Sequence, residues 1–171
     1  MIPGISNATL SDVPELIKLI NSAYRGDSAK KGWTHEADLL TGIRISDKEL
    51  VKLIKRKDTF LLKYIEENFI VGCVLLEKQE DKLYIGMLTV SPGLQGKGVG
   101  KKLLEAAEIK ARELDCNRTE MSVISVRHEL IEWYKRKGYI DTGIKKPFPE
   151  EMQKSSTSPL QLEFIILEKY V

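Results

Sequence analysis

Leu88-Thr-Val-Ser-Pro-Gly-Leu-Gln-Gly-Lys-Gly-Val-Gly-Lys101 is the most informative stretch of the chain. It starts with a strand-like run, passes through a loop with glycine at positions 96, 98 and 100, and enters a helical pattern directly. Glycine lets the backbone approach a ligand closely, and the N–H groups at a helix start favour anions. With Lys97 and Lys101 nearby, this loop is predicted to hold a pyrophosphate.

Two common phosphate-binding motifs do not match the loop. A Walker A loop ending in Gly100-Lys101 would need glycine at position 95, where Gln95 stands, and Ser or Thr where Lys102 stands. The dinucleotide fingerprint, started at Gly96, would place its third glycine at Lys101. The loop therefore fits neither motif.

The segments that follow the loop alternate between helical and strand patterns. Lys97–Leu114 is predicted to be a long amphipathic helix, and Gly138 ends a second one. Lys146–Pro159 is rich in Pro and Ser and is predicted to be a long mobile loop. The remaining predictions are a strand over Thr119–Ile124, a helix over Arg127–Lys137, and strands near Tyr139–Ile144 and Leu160–Leu167.

The segments before the loop contain helices first and strands afterwards. Capping boxes starting at Asp12 and Ser46 predict two helices, and residues 25–45 are predicted to be loop with some helix. The predicted strands are Ile5–Leu10, the hairpin Thr59–Ile65 and Phe69–Leu76, and Lys82–Val90. This order predicts an α/β fold, in which one mixed sheet of about seven strands has helices on both faces.

Composition excludes several classes of protein. The chain of 171 residues is long enough for one domain, and its net charge of +2 gives no support for nucleic-acid binding. Its longest apolar stretch is too short to cross a membrane, and no secretory signal is found. The two cysteines and two histidines lack metal-ligand spacing. We therefore expect a soluble cytoplasmic protein without a metal.

Gln95-Gly96-Lys97-Gly98-Val99-Gly100 resembles the Gln/Arg-x-x-Gly-x-Gly/Ala signature of the GNAT superfamily of N-acyltransferases. A second landmark lies in Glu132-Trp-Tyr-Lys-Arg-Lys-Gly-Tyr139, where Tyr134 stands four residues before Gly138-Tyr139. The motifs cover about residues 85 to 140, whereas the order of elements agrees from about residue 5 to the end. The resemblance implies a single GNAT domain over residues 1–171, with a mostly antiparallel sheet.

The resemblance also implies the activity and the cofactor site. A GNAT enzyme transfers the acetyl group of acetyl-CoA to an amine, and Tyr134 is the expected general acid for the departing thiolate. The helix pattern alone would make Tyr134 an ordinary buried aromatic. Arg127 stands where relatives often have Asn. The expected cofactor-binding residues are Leu88, Thr89, Val90, Gln95, Gly96, Lys97, Gly98, Val99, Gly100, Lys101 and Arg127.

The general base and the acceptor site are less defined. Relatives place a glutamate where this chain has Tyr84 or Ser122, so Glu36 and Glu120 are the candidates, and a water chain without a dedicated base is an equal alternative. Trp33, Glu36 and Arg44 fall where GNAT proteins build the acceptor wall. An exposed Trp can stack on a substrate and Arg can bind a carboxylate, but Trp33 can also fill the core and Arg44 can pair with a local acid.

Several functional alternatives remain open at this stage. We favour a small amine or amino-acid-like acceptor attacked directly in a ternary complex. A protein N-terminal or lysine acetyltransferase and a non-catalytic CoA-binding module are the alternatives. Cys73 and Cys116 have no visible His partner, which disfavours an acyl-cysteine mechanism. A homodimer through the loop before the final strand is a further expectation.

Overall fold

The computed structural model describes residues 2–30, 32, 34–40, 42–154, 156 and 161–171, without the side chains of residues 26 and 27. The strands are β1 (Ile5–Asn7), β2 (Thr59–Glu66), β3 (Phe69–Gln79), β4 (Lys82–Val90), β5 (Arg118–Ile124), β6 (Ile140–Pro147) and β7 (Glu163–Tyr170). The helices are α1 (Val13–Tyr24), α2 (Gly26–Ala29), α3 (Asp47–Lys55), α4 (Val99–Glu113), α5 (His128–Arg136) and α6 (Glu150–Gln153).

The strands form one sheet in the order β1-β2-β3-β4-β5-β7-β6. Every neighbouring pair is antiparallel except β4 and β5, which are parallel. Helix α4 connects these two strands, as a parallel pair requires a long crossover. The predicted mixed, mostly antiparallel sheet of seven strands is confirmed.

Helices cover the two faces of the sheet. On one face, α4 buries Leu103 and Ala107 completely, in a cluster that also contains Tyr134 of α5. On the other, α1 and α3 bury Leu16 and Leu50 completely. Neighbouring strand residues divide between the two clusters because side chains alternate across a strand. Each fully buried Leu contributes about 1.5–3 kcal/mol relative to an exposed one, so these stripes fix the helices on the sheet.

The start of α1 differs from the prediction. The predicted capping box used Asp12 and Glu15, but the Asp12 carboxylate accepts a hydrogen bond from the N–H of Thr9 at 2.8 Å and binds Lys63 at 2.7 Å. Glu15 instead accepts the N–H of Ile70 at 2.9 Å. The box therefore forms one turn earlier, around a short 3-10 helix over Leu10–Asp12, and β1 ends at Asn7 rather than Leu10. At the second predicted box, Ser46 caps α3 by accepting the N–H of Glu49 at 3.3 Å, and the reciprocal bond from the Glu49 side chain is not found among the described residues.

The segment predicted as a long loop over Lys146–Pro159 contains regular structure. Strand β6 extends to Pro147, and α6 follows within the same segment. Phe148 is 3% exposed and its ring centroid lies 4.9 Å from that of Phe164. An anchored aromatic of this kind holds the chain against the sheet, so the prediction of a mobile loop is wrong for the part described; residues 155 and 157–159 lie outside it. No helix in the described part of the chain is long and apolar enough to cross a membrane.

Candidate functional site

Strands β4 and β5 separate soon after they begin. Only Lys82, Leu83 and Tyr84 of β4 pair with β5. Farther along, a bulge shifts the register of β4 against β3 between Cys73 and Leu75. Met87 at this bulge has a φ of +46°, in a region that residues other than glycine seldom adopt. Because a bulge bends its strand, β4 turns away from β5 and leaves a gap in the sheet.

The glycine loop leads from the end of β4 into α4. Gly96 and Gly98 have φ values of +82° and +86°, and Gly98 is the N-cap of α4. A Cβ atom added to either glycine would meet nothing within 4 Å. In the described part of the chain, no acceptor is found for the N–H groups of residues 95–101. Open space and free N–H groups at a helix start suit a phosphate-bearing ligand.

Two cavities meet beside this loop. The glycine-loop cavity has a volume of about 280 Å³ and includes Val90, Gln95, Gly96, Gly98, Gly100 and Lys101 in its lining. The strand-gap cavity has a volume of about 170 Å³ and includes Arg44, Tyr84, Met121, Ser122 and Phe164. The residues that line both are Tyr24, Leu88, Arg127, Leu130 and Tyr134. A ligand along the loop and a second one in the gap can therefore meet at these shared residues.

Tyr134 projects from α5 toward the place where the cavities meet. Its side chain is packed edge-on against Trp133 and Tyr139, at centroid distances of 5.1 and 5.8 Å. Burial raises the pKa of its hydroxyl well above the ordinary value for tyrosine. No hydrogen-bond partner for this hydroxyl is found among the described residues. The phenol is therefore protonated near neutral pH and free to donate to a ligand.

A second tyrosine lies across the same junction. The Tyr24 hydroxyl donates a hydrogen bond of 2.8 Å to the carbonyl oxygen of Leu88, directly after the bulge. Burial raises the pKa of Tyr24 to about 12, so this donor keeps its proton. The guanidinium carbon of Arg44 lies 5.4 Å from the Tyr24 ring centroid. One phenol ring thus connects the β4 bulge to a cation in the strand-gap cavity.

A buried group of charges closes one side of the junction. The Glu36 carboxylate lies 3.1 Å from Nε of Arg25 and 3.5 Å from Nη1 of Arg127. Arg127 also donates a hydrogen bond of 2.7 Å to the Thr34 hydroxyl. All three charged side chains are less than one tenth exposed. The group therefore ties the segment after α2 to the start of α5.

These features coincide with a match to a known family. A family model described as "Acetyltransferase (GNAT) family" matches residues 14–139, which include the glycine loop, the bulge and Tyr134. The chain belongs to the GNAT family. The match covers most of the 171 residues, and GNAT acetyltransferases are acyltransferases.

Solved structures, N-acetyltransferases among them, share this fold. The ribosomal-protein-S18-alanine N-acetyltransferase from Escherichia coli is 14% identical, with a TM-score of 0.72 over 98% of this chain and 92% of that one. The PaiA N-acetyltransferase from Thermoplasma acidophilum, solved with coenzyme A, is 18% identical, with a TM-score of 0.69 over 98% of each chain. The protein smu.2055 from Streptococcus mutans UA159 is 18% identical, with a TM-score of 0.74 over 97% and 98%.

At these identities the similarity is one of fold. A search of curated protein sequences finds no match to the chain. The neighbours' acceptors therefore do not identify the acceptor of this GNAT protein, which has to be inferred from its own cavities.

Most residues predicted for the GNAT cofactor site lie together. Leu88, Thr89, Val90, Gln95, Gly96, Gly98, Gly100, Lys101 and Arg127 all line the glycine-loop cavity. Two of the predicted residues do not: the Lys97 side chain is exposed, and Val99 is buried in the core that α4 shares with the sheet. Gln95 Nε2 donates to the Val90 carbonyl at 3.3 Å, whereas its Oε1 is buried without a partner.

The structure does not bring Glu120 to the site. Glu120 pairs with Tyr84 where β4 and β5 are still joined, and its carboxylate binds Lys82 Nζ at 2.8 Å. It lines neither cavity. We therefore do not carry Glu120 forward as a catalytic base. Tyr84 and Ser122, which stand at the positions of the relatives' glutamates, do line the strand-gap cavity.

The acceptor-wall predictions have different outcomes. Arg44 and Glu36 line the strand-gap cavity, but two arginines occupy the oxygens of Glu36, which leaves it poorly placed to accept a proton. Trp33 lies outside the described residues. Arg44 has no acidic partner in the part of the chain that is described, contrary to the alternative that it pairs locally.

Sequence reasoning missed the role of Tyr24 and the contribution of the C-terminal segment. Tyr24 completes the apolar stripe of α1, and nothing in that stripe indicates that its hydroxyl reaches Leu88. Met152 and Phe164 reach the strand-gap cavity from the segment expected to be a loop and from the strand after it. Cys73 lines neither cavity, and burial raises the pKa of its thiol to about 12, so it does not suit a nucleophile.

Proposed function

We propose that this GNAT protein transfers the acetyl group of acetyl-CoA directly to an amine that is bound at the same time. The observation that carries the proposal is the junction of two cavities at Tyr24, Leu88 and Tyr134. One cavity has the features of a CoA site, and the other gives a second reactant access to the same point. Holding both reactants in one cleft supplies much of the rate advantage by proximity.

The glycine-loop cavity fits CoA by its donors and its space. The N–H groups of residues 95–101, the open faces of Gly96 and Gly98, and the charge of Lys101 would hold the diphosphate. The backbone of Leu88 and Val90 would hold the pantetheine along the gap, since each carbonyl oxygen has a second lone pair beyond its side-chain partner. Acetyl-CoA supplies the activated acetyl group as a thioester.

Tyr134 is the proposed general acid. The amine nitrogen forms a bond to the acetyl carbon, the carbon–sulfur bond breaks, and the Tyr134 hydroxyl gives its proton to the leaving sulfur. The raised pKa keeps this phenol protonated near neutral pH, so its proton is available as negative charge develops on the sulfur. The proton that the amine loses to water restores Tyr134, so the step balances.

The described lining of the strand-gap cavity offers no free carboxylate as general base. Its single acid, Glu36, is bound by two arginines. The amine is therefore proposed to enter in its neutral form. Once its nitrogen has bonded to the acetyl carbon, it loses one proton to water beside the hydroxyls of Tyr84 and Ser122. Of the alternatives, the water chain is the one that this lining favours.

The wider assignment is part of the same proposal. Residues 1–171 are proposed to act as a single acetyltransferase domain in the cytoplasm, without nucleic-acid or membrane partners. A homodimer through the loop before the final strand stays a prediction from the sequence. We favour a small, amino-acid-like amine as the acceptor over a protein N-terminus or lysine.

The first test is calorimetric titration with acetyl-CoA, followed by assays of thiol release with a panel of amines. Tyr134→Phe is expected to lower kcat by about 100- to 1,000-fold, as expected for loss of a general acid. Its affinity for acetyl-CoA should stay within about twofold, because the hydroxyl alone is removed.

Tyr170→Phe is the matched control, since Tyr170 is 64% exposed and lines neither cavity. Wild-type protein that binds CoA but releases no thiol with any amine would favour the non-catalytic CoA-binding module. Failure of folded wild type to bind acetyl-CoA would overturn the assignment of the glycine-loop cavity.

A further inference from the structure

Charged side chains around the strand-gap cavity have an excess of positive charge. Arg44 and Arg127 line it, and Glu36 is the one acid in its described lining. Two arginines and one glutamate give this lining a net charge of +1, and Glu36 is also shared with Arg25, which lies outside the lining. Glu129, 3.9 Å from Nε of Arg127, is 46% exposed and does not line the cavity. Such walls attract an anion and disfavour a polycation.

Arg44 is the cation in this group that remains available to a ligand. No carboxylate partner for its guanidinium is found among the described residues, and the guanidinium lies over the Tyr24 ring. The backbone around it is held in place, because the N–H groups of Arg44 and Ile45 donate to the Asn21 side-chain oxygen at 2.6 and 3.1 Å. A guanidinium held in this way offers paired donors that match a carboxylate.

The position of Arg44 limits how far a carboxylate bound to it can lie from the reacting amine. Its guanidinium packs on the ring of Tyr24, and the hydroxyl of the same ring is bonded to Leu88 at the β4 bulge. Leu88 and Tyr134 also line the junction of the cavities. An acceptor whose amine lies at this junction and whose carboxylate binds Arg44 must therefore carry the two groups only a few bonds apart, as an amino acid does.

The strand-gap cavity is small, and apolar side chains form several of its walls. Its volume of about 170 Å³ lies below the roughly 300 Å³ at which sites for drug-sized ligands begin. Methionines contribute several of the walls, and their flexible side chains adapt to apolar groups of different shape. The apolar side chains that line it include Met87, Met121, Ile124, Leu130, Met152 and Phe164.

We infer that the acceptor is a free amino acid with an apolar side chain, whose carboxylate binds Arg44 while its amine lies between Leu88 and Tyr134. The inference rests on the proposed acetyltransferase function and specifies its substrate class. Polyamines and aminoglycosides do not fit this site, because their positive charges would face Arg44 and Arg127 without a free acid. A peptide N-terminus lacks the nearby carboxylate.

The first test compares acceptors by thiol release from acetyl-CoA. L-Leucine, L-methionine and L-phenylalanine are paired with their carboxamides, and spermidine and a carboxyl-blocked peptide with N-terminal leucine complete the panel. Because the amine of a carboxamide is less basic than that of the free acid, the KM values are compared as concentrations of neutral amine. On that scale, each free acid is expected to have a KM at least tenfold below that of its amide. Arg44→Gln should raise the KM of the acids about 10- to 100-fold, which removes their preference over the amides.

Arg112→Gln is the matched control, because Arg112 is exposed on α4 and lines neither cavity. It should leave the preference for free acids unchanged. Equal KM values for acids and amides in wild type, or spermidine or the blocked peptide as the best acceptor, would overturn the inference while leaving acetyl transfer intact.

A binding measurement separates the acceptor class from turnover. N-Acetyl-L-leucine and its carboxamide are titrated into the CoA-saturated protein, wild type and Arg44→Gln. The acid should bind wild type at least tenfold more tightly than the amide, and Arg44→Gln should abolish the difference. If this discrimination is present but no thiol is released, the carboxylate site stands and the catalytic proposal fails. If amines react but no discrimination is measured, the carboxylate site fails and the catalytic proposal stands.

Discussion

The glycine-loop cavity takes much of its wall from consecutive residues, whereas the strand-gap cavity takes its walls from segments that are far apart in the chain. Residues 88–90 and 95–101 provide most of the phosphate-binding side of the first. Helix α1, the segment after α2, β4, β5, α5 and β7 each contribute to the second. The first presents mainly backbone N–H groups to its ligand, and the second presents mainly side chains.

This difference explains what each cavity can reveal about its ligand. A backbone-built site needs particular glycine positions, and it recognises a group that many proteins bind. A side-chain site is specified by residues that meet only after folding, and it can change its ligand with a few substitutions. The glycine loop therefore identifies a family, whereas Arg44, Tyr24 and their neighbours are needed to infer the acceptor.

The largest effect is expected from a substitution that disrupts only the glycine-loop cavity. Gly98→Glu places a carboxylate where the diphosphate is expected and forces a residue with a Cβ into a φ of +86°. We expect at least 1,000-fold weaker binding of acetyl-CoA by calorimetry. Gly93→Glu is the control, since Gly93 also has open space around it but lines neither cavity. Near-normal binding by a folded Gly98→Glu variant would show that the diphosphate lies elsewhere.

The next prediction tests whether Glu36 stabilises the fold or acts as the general base. Glu36→Gln removes the carboxylate that Arg25 and Arg127 share, and breaking a buried pair costs about 3 kcal/mol in the free energy of unfolding. Urea unfolding measures it, with exposed Glu129→Gln expected to change the value by less than about 0.5 kcal/mol. Unchanged stability with lost turnover would instead return Glu36 to the role of base.

A smaller effect is expected where the two cavities touch. Tyr24→Phe removes the hydrogen bond to the Leu88 carbonyl, which holds the β4 bulge at the junction of the two cavities. We expect the misplaced junction to lower kcat/KM about tenfold, equivalent to about 1.4 kcal/mol in the activation free energy. Tyr64→Phe is the control, because its hydroxyl binds Lys102 and lies outside both linings. If Tyr24→Phe changes only the affinity for acetyl-CoA, Tyr24 belongs to the cofactor side alone.

The smallest expected effect is the absence of an alkaline decline in kcat. Burial raises the pKa of Tyr134 above its usual value of about 10, so the protonated acid persists through that pH. With saturating substrates, kcat should rise with the neutral fraction of the bound amine and then stay level to about pH 10.5. A decline near pH 10 that disappears in Tyr134→Phe would contradict the raised pKa. The rising limb should move with the pKa of the amine chosen, because no free carboxylate lines the described strand-gap cavity.

Much of the fold could be predicted from local patterns. The predicted strand Lys82–Val90 has the bounds that are observed, a loop with three glycines leads from it into α4, and Ser46 caps α3. Helix α4 begins two residues late because Gly98 takes a left-handed conformation as its N-cap. Local signals of this kind are carried by neighbouring residues, so they survive without knowledge of the tertiary structure.

The failures came from contacts between distant residues. Glu120 was a plausible base until Lys82, 38 residues away, was found to bind it. Asp12 was expected to cap α1, but Lys63 and Thr9 occupy its carboxylate. The packing of Phe148 on Phe164 gave structure to a segment whose composition indicated a loop. In each case the residue type and its local sequence suggested a role, and contacts with distant residues in the fold gave it a different one.

The short parallel pairing of β4 with β5 has a mechanical consequence. Only three residue pairs join the two halves of the sheet, which are β1-β2-β3-β4 and β5-β7-β6. A pantetheine bound in the gap would connect the two halves of the sheet beyond these pairs, as an added strand does, and would reduce their motion relative to each other. Amide hydrogen exchange should then slow together along the facing edges of β4 and β5 when CoA binds, far from the phosphates themselves.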